Sequence, residues 1–263
     1  MIKKYKNFLN EEADKNISKY NNMIDFTYLK NDTSVDKIKE ICDIAQENNF
    51  YSVCVDPKYV SDAYGFLEDE KIRICTVINF PDGQNKSEQN IKDVTTAISD
   101  GVDEIDFVLN YKTLKEATVL EDILKSKIND KNSSKEEIKE EQEDLDNKYD
   151  KIEKSLLDVA DICHRNSIIF KVIIESGMLT IQEIKKACEI CDRGGADFVM
   201  TSTGTKEIGA EVDKVKYMRK ILPEYIKIKV SGGIRNVKDI EKFYDYADRF
   251  GTSTIIKENI KNE

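Results

Sequence analysis

Apolar residues in this chain alternate between short, nearly continuous runs and longer stretches where they recur every three or four positions. The short runs are MIDFTYL at 23–29, SVCVD at 52–56, RICTVIN at 73–79, EIDFVLN at 104–110, IIFKVIIE at 168–175, DFVMTST at 197–203, IKIKVSGG at 226–233 and RFGTS at 249–253. Rich in β-branched residues and apolar almost throughout, they read as strands buried on both faces. The stretches between them predict helices: SVDKIKEICDIAQENN, SEQNIKDVTTAISDG, TIQEIKKACEICDRGG, EVDKVKYMRKIL and NVKDIEKFYDYADRF. Their boundaries carry stop and start signals. Thr33 or Ser34 can cap the first, Thr180 with Glu183 forms a capping box, and Gly101 and Gly194 close helix ends. Eight strand–helix units predict an α/β fold, a (β/α)8 TIM barrel in a single domain over 1–263. A doubly wound sheet is the second choice, but no G-x-G-x-x-G turn follows the first strand.

One segment departs from this rhythm. From about Lys115 to Lys154 the chain is dominated by Lys, Glu, Asp and Asn, with NDKNSSKEE as its turn. It is too long for one crossover helix and short of apolar anchors. The expectation is a charged helical hairpin, or a partly ordered excursion, inserted after strand 4. A solvated surface insertion explains such a charge run, and a partner-docking arm is the alternative.

Composition narrows the function classes. The 263 residues carry a formal net charge of -10, with 40% hydrophobic and 35% charged residues. An acidic chain of this kind is not expected to bind nucleic acid without regard to sequence, because that needs a basic face. A local basic pocket for a small anion remains open. Six cysteines are scattered, and no cleavable signal or apolar run of membrane length is present, so no membrane association and a reduced, cytoplasmic location are expected. Cys188 and Cys191 form CEIC inside a predicted helix with no second pair, which argues against a metal or redox site. His164, the lone histidine, is expected at the surface or at a helix end.

In a barrel, chemistry collects at the C-terminal ends of the strands. Polar residues within the apolar runs are therefore the candidates. Asp106 interrupts strand 4, Lys229 interrupts strand 7, and Lys171 and Glu175 share a face of strand 5 by the two-residue period. Burying such groups is costly unless they pair, so an ion network is the structural alternative to catalysis. The glycine-rich ends give a second signal. VSGGIR at 230–235 and RFGTST at 249–254 follow the last two strands, where barrels commonly bind phosphate, and a helix starting after Ser253 would offer free N–H donors.

DFVMTSTG, KVIIESGML, GVDEIDFVLN, TVINFPDG, SVCVDP and KVSGGIR…FGTST, spread from about Ile24 to Ile256, together resemble the deoxyribose-phosphate aldolase family. The resemblance implies a (β/α)8 barrel that cleaves 2-deoxy-D-ribose 5-phosphate to glyceraldehyde 3-phosphate and acetaldehyde, in deoxyribonucleotide catabolism. It implies a lysine Schiff base, no metal and no cofactor, a small phosphosugar as ligand, and a homodimer. Retro-aldol cleavage leaves a carbanion, for which a protonated imine is the electron sink. By position, Asp106 resembles the proton-relay aspartate and Lys229 the second lysine, standing before S-G-G. Lys171 is the further amine near the centre. Cys54 resembles a pocket cysteine, and Thr203, Gly204, Gly232, Gly233, Thr252 and Ser253 fall where phosphate and substrate are held.

The imine-forming lysine belongs in the pattern F-[IV]-K-T-S-T-G, and here that place is Met200. A thioether forms no imine. Three readings follow. The chain is an aldolase by descent whose methionine is an engineered or erroneous substitution; or it is a relative that has lost the chemistry and binds a phosphosugar or a protein partner; or Lys229 or Lys171 supplies the amine instead.

Overall fold

The apolar runs form eight parallel strands, most of them shorter than their runs: β1 (Ile24–Tyr28), β2 (Ser52–Val55), β3 (Arg73–Ile78), β4 (Glu104–Val108), β5 (Ile169–Ile173), β6 (Phe198–Met200), β7 (Lys227–Ser231) and β8 (Arg249–Thr252). Each pairs with the next and β8 pairs with β1, so the sheet closes into a ring in chain order. The computed structural model describes residues 19–30, 33–67, 71–130 and 133–253. The outer face of the strands and the inner face of the helices share one hydrophobic core, with Ile105, Phe107, Phe170, Val172, Ile228 and Phe250 fully or almost fully buried. That double burial is why the runs are apolar at nearly every position.

The helices are α1 (Val35–Asn48), α2 (Val60–Phe66), α3 (Ser87–Ser99), α4 (Tyr111–Asn129), α5 (Lys135–Arg165), α6 (Ile181–Arg193), α7 (Val212–Ile221) and α8 (Val237–Glu241). Local chemistry fixes several ends. The Ser34 hydroxyl accepts from the Lys37 N–H at 3.2 Å, and Thr180 and Glu183 form the expected reciprocal box at 3.2 and 2.7 Å. The last predicted helix is cut short at Glu241. Beyond it the chain continues in turns, in which the N–H of Phe243 bonds Ile240 and that of Tyr246 bonds Phe243, and buried Phe243 anchors the path back to β8. The expected helix after Ser253 lies outside the described residues.

The charged segment is a helical hairpin made by α4 and α5, turning between Asn129 and Lys135. It differs from a free excursion in two ways. Ala117, Leu124 and Leu145 are buried against each other, with Leu120, Ile138 and Tyr149 packed around them, which gives the hairpin a small core of its own. The C-terminal half of α5 is also a barrel helix: Ile152, Leu156, Val159, Ala160 and Cys163 join the main core. The apolar anchors are few but correctly spaced, so few suffice. Ion pairs such as Lys127–Glu141 at 2.5 Å decorate the outside of the hairpin.

Candidate active site

Alternation along the strands sends Asp25, Ser52, Cys75, Glu104, Asp106, Lys171, Lys229 and Arg249 into the barrel interior, where all are buried. Asp106 on β4 is the hub. Its Oδ1 accepts from Lys171 Nζ at 2.8 Å and its Oδ2 from Lys229 Nζ at 2.5 Å. Lys171 also meets Glu104 Oε2 at 2.7 Å, and Lys229 meets Asp25 Oδ2 at 2.7 Å. Arg249 closes the network from below, bonding Asp25 through Nε at 2.8 Å and Glu104 at 3.1 and 2.8 Å, with its guanidinium 3.6 Å from the Tyr51 ring centroid. Three cations face three carboxylates, so the buried hexad is neutral as a unit.

Pairing decides protonation here. Burial works against the charges on Asp25, Asp106, Lys171, Lys229 and Arg249, but the partners outweigh it. Burial pushes the Asp106 carboxyl up, and the Lys171 and Lys229 ammonium groups bring it below the usual carboxylate range. Burial likewise opposes the charge on Asp25, which Arg249, Lys229 and Lys171 more than offset, so its carboxyl is held low. Both lysines, penalised by burial, are nonetheless held above the usual lysine range, chiefly by Asp106. They are ammonium groups near neutrality.

Above the hexad lies a cavity of about 420 Å³ whose floor includes Thr27, Cys54, Asp106, Ile173, Met200 and Gly251. Met200 ends β6, 6% exposed, and packs with Val108 and Ile173 against Phe80. It is register partner to Ile173 on one side and Lys229 on the other. Neither Lys171 nor Lys229 lines the cavity; both have no exposed surface. The rim of the same cavity is formed by Thr203, Gly204, Gly232, Gly233, Thr252 and Ser253, with Lys30 and Arg235 as its cations. Gly204 and Gly233 hold φ of 78° and 94°, and a Cβ on either would meet nothing within 4 Å, so the backbone is open toward a ligand. The structure thus brings all six rim candidates and Asp106 to one cavity, with Lys171 and Lys229 beneath its floor.

One sequence expectation shifts. Glu175 does not share the Lys171 face, because β5 ends at Ile173 and Glu175 takes a left-handed backbone with φ of 54°. Its carboxylate turns instead to Thr203, at 2.7 Å from Oγ1. Sequence reasoning also missed Asp25, Glu104 and Arg249, although each is a charged residue in an apolar run. Cys54 lines the cavity, and its Sγ, Cys75 Sγ and an Asp106 oxygen lie within 4.8 Å of one another. This trio makes a poor cation cage, because Lys171 Nζ stands 3.3 Å from Cys75 Sγ and both Asp106 oxygens are held by ammonium groups. Cys188 and Cys191 are buried among the α6 core residues, and burial raises the Cys188 thiol to about 12. His164 bonds Asp197 at 3.2 Å on the surface.

A profile described as DeoC/LacD family aldolase matches residues 20–134. The deoxyribose-phosphate aldolase of Caldanaerobacter subterraneus subsp. tengcongensis is 36% identical over 249 residues, covering 94% of either chain. That of Mycoplasmoides pirum is 36% identical over 250 residues, covering 92% of this chain and 98% of the relative. The chain belongs to the deoxyribose-phosphate aldolase family. Among solved structures, the aldolase QR15 superposes with a TM-score of 0.73 at 32% identity, over 92% of this chain and 96% of that one. The tetrameric deoxyribose phosphate aldolase of Aeropyrum pernix has the same fold, with a TM-score of 0.74 at 21% identity over 93% of this chain and 92% of its own. Within this deoxyribose-phosphate aldolase fold, the place that the sequence resemblance gives to the imine-forming lysine is the last residue of β6, on the cavity floor, and it holds a thioether. Among the described residues no helix is long and apolar enough to cross a membrane.

Proposed function

We propose that the mouth cavity takes 2-deoxy-D-ribose 5-phosphate, the family's substrate, with the phosphate at the glycine-rich rim and the carbonyl end over Asp106. The observation that carries this is the convergence of six small or hydroxyl rim residues and one buried carboxylate on a single cavity of about 420 Å³. Phosphate suits N–H donors on open glycine backbone, with Lys30 and Arg235 nearby. In the family's reversible aldol reaction, Asp106 and Lys229 act as the proton-handling pair, with Lys171 fixing the second Asp106 oxygen.

Residue 200 decides turnover. Imine formation needs a free amine that reaches the cavity, and a methionine supplies none. Lys171 and Lys229 are a poor substitute, since both are buried, protonated and committed to carboxylates. The chain as it stands therefore binds the phosphosugar without cleaving it through an imine. An amine introduced at this position would sit beside Lys229 as a fourth cation over a hexad already neutral, which favours its uncharged, nucleophilic form. Met200→Lys is expected to gain turnover to glyceraldehyde 3-phosphate and acetaldehyde by roughly a million-fold, the size of losing a covalent nucleophile. Borohydride trapping with 2-deoxy-D-ribose 5-phosphate checks it: the Met200→Lys variant should carry an adduct on its introduced amine, and the unmodified chain none. An adduct on Lys171 or Lys229 of the unmodified chain would overturn this assignment. The homodimer implied by the resemblance belongs to the same proposal. Light scattering on the purified chain tests it, and a monomer at micromolar concentration would count against it.

A further inference from the structure

Behind the rim, where β5 runs into its loop, stands a buried carboxylate that the chemistry above does not use. Glu175 has no exposed surface. Its backbone is left-handed at φ 54°, a conformation a residue with a long side chain adopts only when the surroundings impose it. Its Oε2 accepts from Thr203 Oγ1 at 2.7 Å and from Thr203 N–H at 3.3 Å. Having given its only proton to the carboxylate, Thr203 Oγ1 accepts from the Thr205 N–H at 3.2 Å, with Thr205 Oγ1 at 2.8 Å. Glu175 and two residues of the rim, Thr203 and Thr205, are thus tied in a row, and the apex of the turn, Gly204, is left open to the cavity.

The arrangement is costly to the fold. Glu175 Oε1 is buried with no hydrogen-bond partner among the described residues, as are the hydroxyls of Ser176 and Ser202 nearby in the chain. A leucine would avoid that cost, so a hydrogen-bond acceptor at this place is not explained by stability. Gly177 adds a lock. A Cβ there would come within 2.4 Å of the Ile208 carbonyl, so the β5 loop and the loop after β6 pack backbone to backbone.

We propose that Glu175 is a positioning residue for phosphate recognition, holding the Thr203–Thr205 turn in the shape that presents Gly204 to the anion. This rests on the reading that the rim takes the phosphate. Burial, outweighing the Thr203 hydrogen bonds, raises the Glu175 pKa, and a carboxyl that is less readily ionised repels a neighbouring phosphate less.

The test compares binding of 2-deoxy-D-ribose 5-phosphate and of unphosphorylated 2-deoxy-D-ribose by calorimetry, in the full chain and in Glu175→Ala and Glu175→Gln. Glutamine keeps an oxygen acceptor for Thr203, and alanine keeps none. The preference of the full chain for the phosphorylated sugar is expected to fall about tenfold in Glu175→Ala, the scale of one lost hydrogen bond, and to survive in Glu175→Gln. Circular dichroism confirms that each variant is folded. A folded Glu175→Ala with the full preference overturns the assignment, as does an equal loss for both sugars in both variants. If the unmodified chain itself shows no preference, the phosphate reading fails and this inference goes with it. A preference that persists in every variant removes only the role of Glu175.

Discussion

Lysine and methionine at residue 200 have similar length and apolar volume, so the packing of Met200 against Val108, Ile173 and Phe80 fits a side chain of either kind while the reactivity does not. The hexad beneath it answers to different physics. Taking one carboxylate from three cations and three anions leaves a buried charge unpaired, a cost of about 3–5 kcal/mol. Asp106→Asn is therefore expected to lower unfolding free energy by that order, read by urea denaturation at pH 7. The pH dependence has a definite sign. Asp25 and Asp106 have folded pKa values below the ordinary carboxylate range of about 3.9, so their contribution is complete above that range and drains as pH falls through the folded values. As pH falls from about 4 through those lowered values, the unmodified chain and Asp106→Asn should converge. A gap that widens with acid would contradict the charge assignment. Asp106, Lys171 and Lys229 were legible in the sequence as charges inside apolar runs. Asp25, Glu104 and Arg249 carry the same signal, but each lies near a strand start, where an exposed end explains a charge equally well. Only the ring shows that they meet.

Strands were the most legible elements because burial on both faces leaves a nearly continuous apolar signature. Their ends were not, and Glu175 is the instructive case. Extending the two-residue period through Ile174 places it beside Lys171, whereas the ladder stops at Ile173 and the backbone turns left-handed. No periodicity in KVIIES encodes that turn. The short α2 escapes detection for a related reason, since seven residues hold too few turns to show a 3.6-residue repeat. In the α4–α5 hairpin the charge run hides a sparse core. If Ala117, Leu124 and Leu145 hold its outer half, Leu145→Ala should cost about 2–5 kcal/mol locally. Because the inner half of α5 packs on the barrel independently through Ile152 and Leu156, the loss should appear as local opening. Limited proteolysis is expected to cut the variant within the outer hairpin, with phosphosugar binding retained. Loss of binding in step with cleavage would mean that the hairpin and the mouth form one cooperative unit.

Across the whole molecule, a net charge of -10 opposes the approach of a phosphate dianion, and the mouth must overcome that field locally. Screening helps. At physiological ionic strength charges beyond about 8 Å contribute little, while Lys30, Arg235 and the glycine backbone line the proposed phosphate site itself. The rim is also assembled from the ends of β1, β6, β7 and β8, which are distant in sequence and adjacent only because the ring is closed. An unfolded chain has no such site, so ligand binding adds directly to the stability of the folded form. At a hundredfold excess over the dissociation constant the gain is about 2.7 kcal/mol. For a domain of this general size that corresponds to a melting temperature higher by roughly 5–10 °C. The rise should depend on the logarithm of 2-deoxy-D-ribose 5-phosphate concentration, and should be much smaller with unphosphorylated sugar at the same concentration. It requires no turnover, so it is expected in the unmodified chain and in Met200→Lys alike. A scanning fluorimetry series in which neither protein shifts at millimolar ligand would place the phosphate elsewhere, or nowhere, on this barrel.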